Sequence, residues 1–253
     1  MKFLAAFQFL TGIPLPWRHE ASPEALGRST GYFPVIGLII GLILVGFNWL
    51  FRLFLPPALV NALLIAALAL ITGALHLDGL ADTCDGLAGE KPAEERWQVM
   101  RDSRAGAHGI VGIVLLLLVK YVSLNSLATT LIMPTLILMT VIGRWAIVYA
   151  IFVHPYAHSS GTGTVFKQGT RWPQFTLATV ITFVIAAATF VLFQFTGLAA
   201  MVLIWLLTMA AAAYYNSKFS GLTGDTYGAI GEIAETGVLI VVNIFQWLGL
   251  IQW

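Results

Sequence analysis

The chain has 253 residues, of which 58% are hydrophobic and 10% charged, and its mean hydropathy is +0.87. A soluble domain carries about 25% charged residues, so 13 basic and 12 acidic side chains cannot cover a water-soluble globule of this length, and the protein belongs in a lipid bilayer. A net charge of +1 excludes a broad nucleic-acid-binding surface, which needs clustered Lys and Arg, and the lone Cys84 excludes an intrachain disulfide framework or a multi-cysteine metal site.

The apolar run 3–10 follows Met1 and Lys2 but leads into Thr11-Gly12-Ile13-Pro14-Leu15-Pro16, with no small-x-small cleavage site. It is too short for a span of about 20 residues, so it reads as an interfacial or re-entrant segment. Beyond it, stretches free of Asp, Glu, Lys and Arg cover 29–51, 53–77, 121–143, 145–166, 172–217 and 236–253. The polar run 123–130 interrupts one of them, and 172–217 holds two spans with a turn near 194–197. The expectation is an all-α, polytopic membrane protein forming one domain over 1–253, with about seven transmembrane helices at 32–54, 58–77, 107–123, 131–153, 174–195, 198–216 and 229–251.

Lys2, Arg18, Arg28, Lys91, Arg96, Arg101, Arg104, Lys167, Arg171 and Lys218 fall on the N-terminal side of this topology, and only Arg52 on the other. Ten against one places the N-terminus in the cytoplasm and the protein in the cell (inner) membrane. All twelve acids map to that same face or to helix ends opening there.

Four constellations carry chemistry. In His76-Leu-Asp78-Gly-Leu-Ala-Asp82-Thr-Cys-Asp85-Gly86 the aspartates stand at i, i+4 and i+7, on one face if span two continues as helix. Three stacked carboxylates repel one another unless a cation sits among them, and all-oxygen donors favour a hard ion such as Mg2+. Next, Arg101-Asp102-Ser103-Arg104-Ala105-Gly106-Ala107-His108-Gly109 leads into span three. Its arginines can clamp phosphate oxygens, its glycines let backbone approach a ligand, and the helix N-terminus that follows welcomes an anion. Positive-inside flanking charge would equally explain the two arginines.

The loop Ser159-Ser160-Gly161-Thr162-Gly163-Thr164-Val165-Phe166-Lys167 reads as a flexible phosphate cradle with one cation, though without a Walker A pattern. Finally, Gly221-Leu-Thr-Gly224-Asp225-Thr-Tyr-Gly228-Ala-Ile-Gly-Glu232-Ile-Ala-Glu235 opens span seven and reads as the second half of the acidic site, with Glu235 about two turns into a lipid-depth helix. Arg144 lies about 13 Å up span four from its cytoplasmic end; the acid cluster or a substrate phosphate would satisfy it. Lys120 is expected to snorkel from the far end of span three. His154 and His158 are expected at the interface and His19 on the exposed surface. The glycines of the first span, Gly31, Gly37, Gly41 and Gly46, allow close helix packing, either within one subunit or in a homo-oligomer.

Clustered carboxylates, arginines and Gly-rich loops on one face of a polytopic protein are the parts for metal-assisted phosphoryl transfer. A cation-coupled transporter is the rival reading, but it tends to hold its acids at midplane between pseudo-symmetric halves. Phe9-Leu-Thr-Gly-Ile-Pro14, His76-Leu-Asp-Gly-Leu-Ala-Asp-Thr-Cys-Asp-Gly86, Met100-Arg-Asp-Ser-Arg-Ala-Gly-Ala-His-Gly109 and Thr223-Gly-Asp-Thr-Tyr-Gly-Ala229 together resemble the cobalamin synthase family, in order and over essentially the whole chain. One departure is Gly12, where the family's Phe-x-Thr-Arg-x-Pro pattern has a basic residue. The resemblance implies transfer from adenosylcobinamide-GDP to α-ribazole or its 5′-phosphate, giving adenosylcobalamin or its 5′-phosphate and GMP, with Mg2+. Asp82-x-x-Asp85-Gly86 is also similar to the CDP-alcohol phosphotransferase motif, without that motif's following Ala-Arg. On this reading Asp78, Asp82, Asp85 and Asp225 hold the metal. Arg101, Arg104, Arg144, Lys167 and His76 contact substrate, and Asp102 or Glu232 accepts the proton of the attacking hydroxyl.

Overall fold

The computed structural model describes residues 1–14, 22–102, 104–189 and 196–251. Leu15, Pro16, Arg18, His19, Ser103 and all but the end of the turn expected near 194–197 lie outside them. Among the described residues there is no strand, and a single parallel bridge joins Tyr156 to Leu222.

Helix α1 (Lys2–Leu10) is nine residues long and packs on the 3-10 turn Arg28–Tyr32, as expected of a segment too short to span. Helix α2 (Pro23–Gly27) starts where Ser22 Oγ accepts from Ala25 N–H at 3.2 Å and a proline fills the first turn, both ordinary N-terminal signals. Helix α3 (Phe33–Phe51) buries Phe33, Ile36, Gly37, Ile40, Gly41, Leu44 and Asn48 at helical spacing. That face lies on α8 (Thr129–Val153), and a Cβ at Gly41 would stand 2.9 Å from Ile137 Cα. Gly31 faces Gln174 and Leu177 in the same way, and Gly46 faces open space. Three of the four glycines are therefore spent on packing within the chain.

Helix α8 is the hub, with every residue from Leu138 to Ile151 buried. Against it pack α10 (Trp172–Ala188), α11 (Thr196–Phe219) and α12 (Gly224–Trp247), while α7 (Ala107–Ser126) packs on α12, with α6 (Ala93–Met100) and α9 (Thr162–Gly169) as short connectors. Ile110, Val111, Val114 and Leu118 on α7, Val180, Phe183 and Val184 on α10, and Val202 and Leu206 on α11 are each more than half exposed. Apolar faces of that extent belong in hydrocarbon rather than in water.

Each expected span falls on a helix as far as the described residues go. Among the described residues, five helices are long and apolar enough to cross a bilayer, or six if one bent pair counts as a single span, against the seven expected; α10, at 17 residues, is shorter. The second span departs from expectation. Instead of continuing, α4 (Pro57–Ile71) breaks at Gly73 and Ala74, both left-handed at φ 60° and 55°, and α5 (Leu75–Leu87) leaves at 88° to it. Gly12 N–H donates to Ile71 O at 2.7 Å, tying the N-terminal segment to the break.

Candidate active site

The aspartate-rich run is helical, so Asp78, Asp82 and Asp85 keep their helical spacing, but on the new helix α5 beyond the bend. Helix α5 crosses the start of α12 backbone to backbone: a Cβ at Gly79 would stand 2.7 Å from Asp225 O, and one at Gly228 3.1 Å from His76 Cα. The two glycines thus bring Asp225 against the α5 aspartates. Thr223 and Thr226 hold the start of α12 in a reciprocal cap, with Thr226 N–H donating to Thr223 Oγ1 at 3.2 Å.

Asp85 is turned to a different task. Its Oδ2 accepts from Gly106 N–H and its Oδ1 from Gly109 N–H, both at 2.8 Å, and a Cβ at either glycine would collide with the carboxylate. The α7 N-terminus does receive an anion, as expected of a helix start, but that anion is a side chain of the protein. The glycines read as room for a ligand make room for Asp85. Among the described residues, no three His, Cys, Asp or Glu side chains converge on one point as a ready metal cage.

A cavity of about 220 Å3 opens beside this crossing. His76, Asp78, Asp225 and Tyr227 line one side, Thr162 and Gly163 of the Gly-rich loop another, and Phe9 and Phe166 a third. Three of the four sequence constellations and the N-terminal motif therefore meet at one place. Phe9, Tyr227 and Tyr156 are site residues that the reading of charges missed, although the first two lie inside the quoted motifs. Tyr156 packs against Gly163 and stacks with Tyr227 at 6.1 Å between ring centres. Burial pushes its hydroxyl above the ordinary phenol range.

The expected cations are distributed differently. Arg104 and Asp102 form an exposed pair, with Nη2 2.7 Å from Oδ2, and the guanidinium's hydrogen bonds hold the Asp102 carboxyl down at about 2. Arg101 is exposed, and its charge reaches Tyr156 and His158. Burial first, then Arg101, keeps the His158 imidazole below its usual value. Lys167 Nζ donates to the Ile151 and Phe152 carbonyls at 2.9 Å each, closing the end of α8.

Deeper in, four charges from three helices meet. Lys120 Nζ lies 2.6 Å from Glu232 Oε2 and 2.6 Å from Glu235 Oε2, and Arg144 pairs with Glu235 Oε1. Lys120 does not snorkel; it is buried, because α7 turns that face toward α12. Arg144 finds its anion in Glu235 rather than in the aspartates or a phosphate, and Glu232 is bound to Lys120.

A family model described as cobalamin-5-phosphate synthase matches residues 2–243. An adenosylcobinamide-GDP ribazoletransferase of Geotalea daltonii is 40% identical over 92% of this chain and 93% of its own. Those of Roseiflexus sp. and Desulforamulus reducens are 35% and 33% identical, over 94% and 95% of this chain and 88% and 95% of theirs. No solved structure matches the chain. With the motif order, the aspartate crossing and a match over nearly every residue in agreement, the chain belongs to the cobalamin-5-phosphate synthase family.

Proposed function

We propose that the chain transfers the phospho-adenosylcobinamide group of adenosylcobinamide-GDP to α-ribazole or its 5′-phosphate, releasing GMP, at the crossing of α5 and α12. The observation that carries this reading is the placement of Asp78 and Asp225 in the wall of a cavity bordered by the Gly-rich loop, with Asp82 one helical turn from Asp78 on α5. The enzyme is a multi-pass protein of the cell (inner) membrane, and the tenfold excess of basic residues on one side supports a site open to the cytoplasm.

Asp78, Asp82 and Asp225 fit a hard cation by donor chemistry. All are carboxylates, and among the described residues none has a Lys or Arg partner. Mg2+ held by them would neutralise charge on the pyrophosphate. Asp85 contributes by fixing the loop that carries Arg101 and Arg104 against α5. The two arginines, both at the surface, would take phosphate oxygens as the donor arrives, Arg104 by exchanging Asp102 for substrate. Attack of a ribose hydroxyl that stays free in the 5′-phosphate on the phosphorus attached to cobinamide forms the new P–O bond as the bond to GMP breaks, and the hydroxyl proton passes to water or to a carboxylate at the α5–α12 crossing. Phosphoryl transfer depends mostly on positioning and charge stabilisation. Asp102 accordingly serves by holding Arg104 in register, while Glu232 and Arg144 brace the helices behind the site.

The test uses purified protein in detergent or liposomes with both substrates, following GMP and corrinoid product with and without Mg2+. Metal-dependent formation of both products is expected. Intact substrates in the presence of folded protein would overturn the reading.

A further inference from the structure

From the contacts of α6 we infer that Arg96 and Trp97 form a clamp that sets the separation of the two aspartate-bearing segments, α5 and the start of α12. Both are positioning residues for the proposed transfer. The inference rests on the reading of those aspartates as the metal-binding half of the site.

Arg96 is 5% exposed, and among the described residues no carboxylate pairs with it. A buried guanidinium is costly unless its donors are met, and here the backbone meets them. Nη1 donates to Gly86 O at 2.8 Å, Nε to Lys91 O at 2.8 Å and Nη2 to Gly89 O at 3.0 Å. Gly86 lies in the last turn of α5, where carbonyls lack partners within the helix and the helix dipole favours a cation. All three nitrogens hold the end of one helix and the linker beyond it. That spread suits a planar guanidinium and not the point charge of an ammonium.

The next residue reaches the other arm. Trp97 Nε1 donates to Phe219 O at 3.1 Å, at the C-terminal end of α11. The chain from there to Asp225 passes through Ser220 and Gly221, both left-handed at φ 53° and 134°. A serine keeps that backbone only where its surroundings impose it. Packing closes the same triangle: a Cβ at Gly86 would stand 2.7 Å from Met100 Cγ and 3.2 Å from Phe219 Cε1. The two held points flank the carboxylates, Gly86 next to Asp85 and Phe219 one short turn before Asp225, and α6 itself leads into Arg101. Loosening the clamp therefore moves the aspartate crossing as well as the fold around it.

The experiment compares full-length Arg96→Lys and Trp97→Phe with the parent protein in detergent. Mn2+ binding without substrate is read by electron paramagnetic resonance, and melting by circular dichroism. Cys84, the single thiol, adjoins Asp85 and sits against Gly112 of α7, so its rate of maleimide labelling reports on the end of α5. Arg96→Lys should weaken Mn2+ binding, and raise the Mg2+ needed for half-maximal turnover, at least about ten-fold. Its kcat at saturating Mg2+ should stay within about three-fold of the parent, and Cys84 should label faster. Trp97→Phe loses one hydrogen bond, keeps the ring and should weaken Mn2+ binding roughly five-fold; it carries the test if Arg96→Lys fails to fold. Unchanged Mn2+ affinity in Trp97→Phe, or a loss in Arg96→Lys confined to melting temperature, would overturn the clamp and leave the reaction standing. Arg96-dependent Mn2+ binding with no release of GMP would keep the clamp and remove the reaction. A parent protein that binds no Mn2+ would overturn the clamp together with the metal reading.

Discussion

Lys120 Nζ sits 2.6 Å from Glu235 Oε2 deep between α7 and α12, with both side chains all but sealed from solvent. With Glu232 and Arg144 they make a neutral set of two cations and two anions. Bringing four charges out of water is costly, and removing one partner leaves an uncompensated charge that costs about 3–5 kcal/mol. Lys120→Met should therefore lower the melting temperature in detergent, read by tryptophan fluorescence, and reduce the yield of folded protein. Lys120→Met combined with Glu232→Gln restores neutrality and should recover most of the loss. A double variant no better than the single one would show that geometry, not charge balance, sets the stability.

Asp82 and Asp85 stand three residues apart and should fail differently. Asp82→Ala removes a carboxylate with no cationic partner, so turnover should vanish while the melting temperature stays near that of the parent. Asp85→Ala orphans Gly106 N–H and Gly109 N–H, at a cost of about 1–3 kcal/mol, and should open the 101–106 loop to limited proteolysis. Equal melting temperatures for the two variants would contradict the division of labour.

Because Arg104 holds the Asp102 carboxyl at about 2, the folded value lies below the unfolded one. Their interaction is complete above the usual carboxylate range and is lost as pH falls toward 2. A carboxylate this acidic is a poor proton acceptor near neutrality. Asp102→Asn should lower kcat less than about ten-fold and leave the acid limb of the kcat profile in place. A loss in the range of about 10²–10⁴ expected for a true general base would assign it that role instead.

Ala74 is a left-handed residue with a side chain, at φ 55°, a conformation costing roughly 1–2 kcal/mol for an L-residue. Ala74→Gly removes that strain against an unfolded-state entropy gain of about 0.4–1 kcal/mol, so it should hold or raise the melting temperature. Ala74→Val should cost at least about 1 kcal/mol of stability and so lower the melting temperature, since β-branched residues tolerate this region worst. A more stable valine variant would remove the strain argument.

Features written in local sequence were legible, and features that depend on distant pairing were not. The spans were visible because lipid excludes charge over whole helices, and the aspartate spacing was visible because a helix repeats every 3.6 residues. The 88° break was hidden, since Gly73 and Ala74 sit in an apolar stretch whose average hydropathy does not register backbone direction. Lys120 read as a snorkelling residue because its anions stand 112 and 115 positions later. The Gly106 and Gly109 pair pointed correctly to an anion at the α7 start, but nothing local showed that Asp85, 21 and 24 residues upstream, supplies it.

The buried quartet also imposes an order on biogenesis. Lys120 and Arg144 leave the ribosome well before Glu232 and Glu235, 112 residues earlier for the first pair and 91 for the second. Two cations must therefore wait, unneutralised, for the last helix to arrive. Until α12 inserts, α7 and α8 cannot settle into the hydrocarbon as they stand in the finished protein. Insertion of that helix locks the bundle and, in the same event, delivers Asp225 to the aspartates of α5, so a chain that has completed its membrane assembly has also completed its active site.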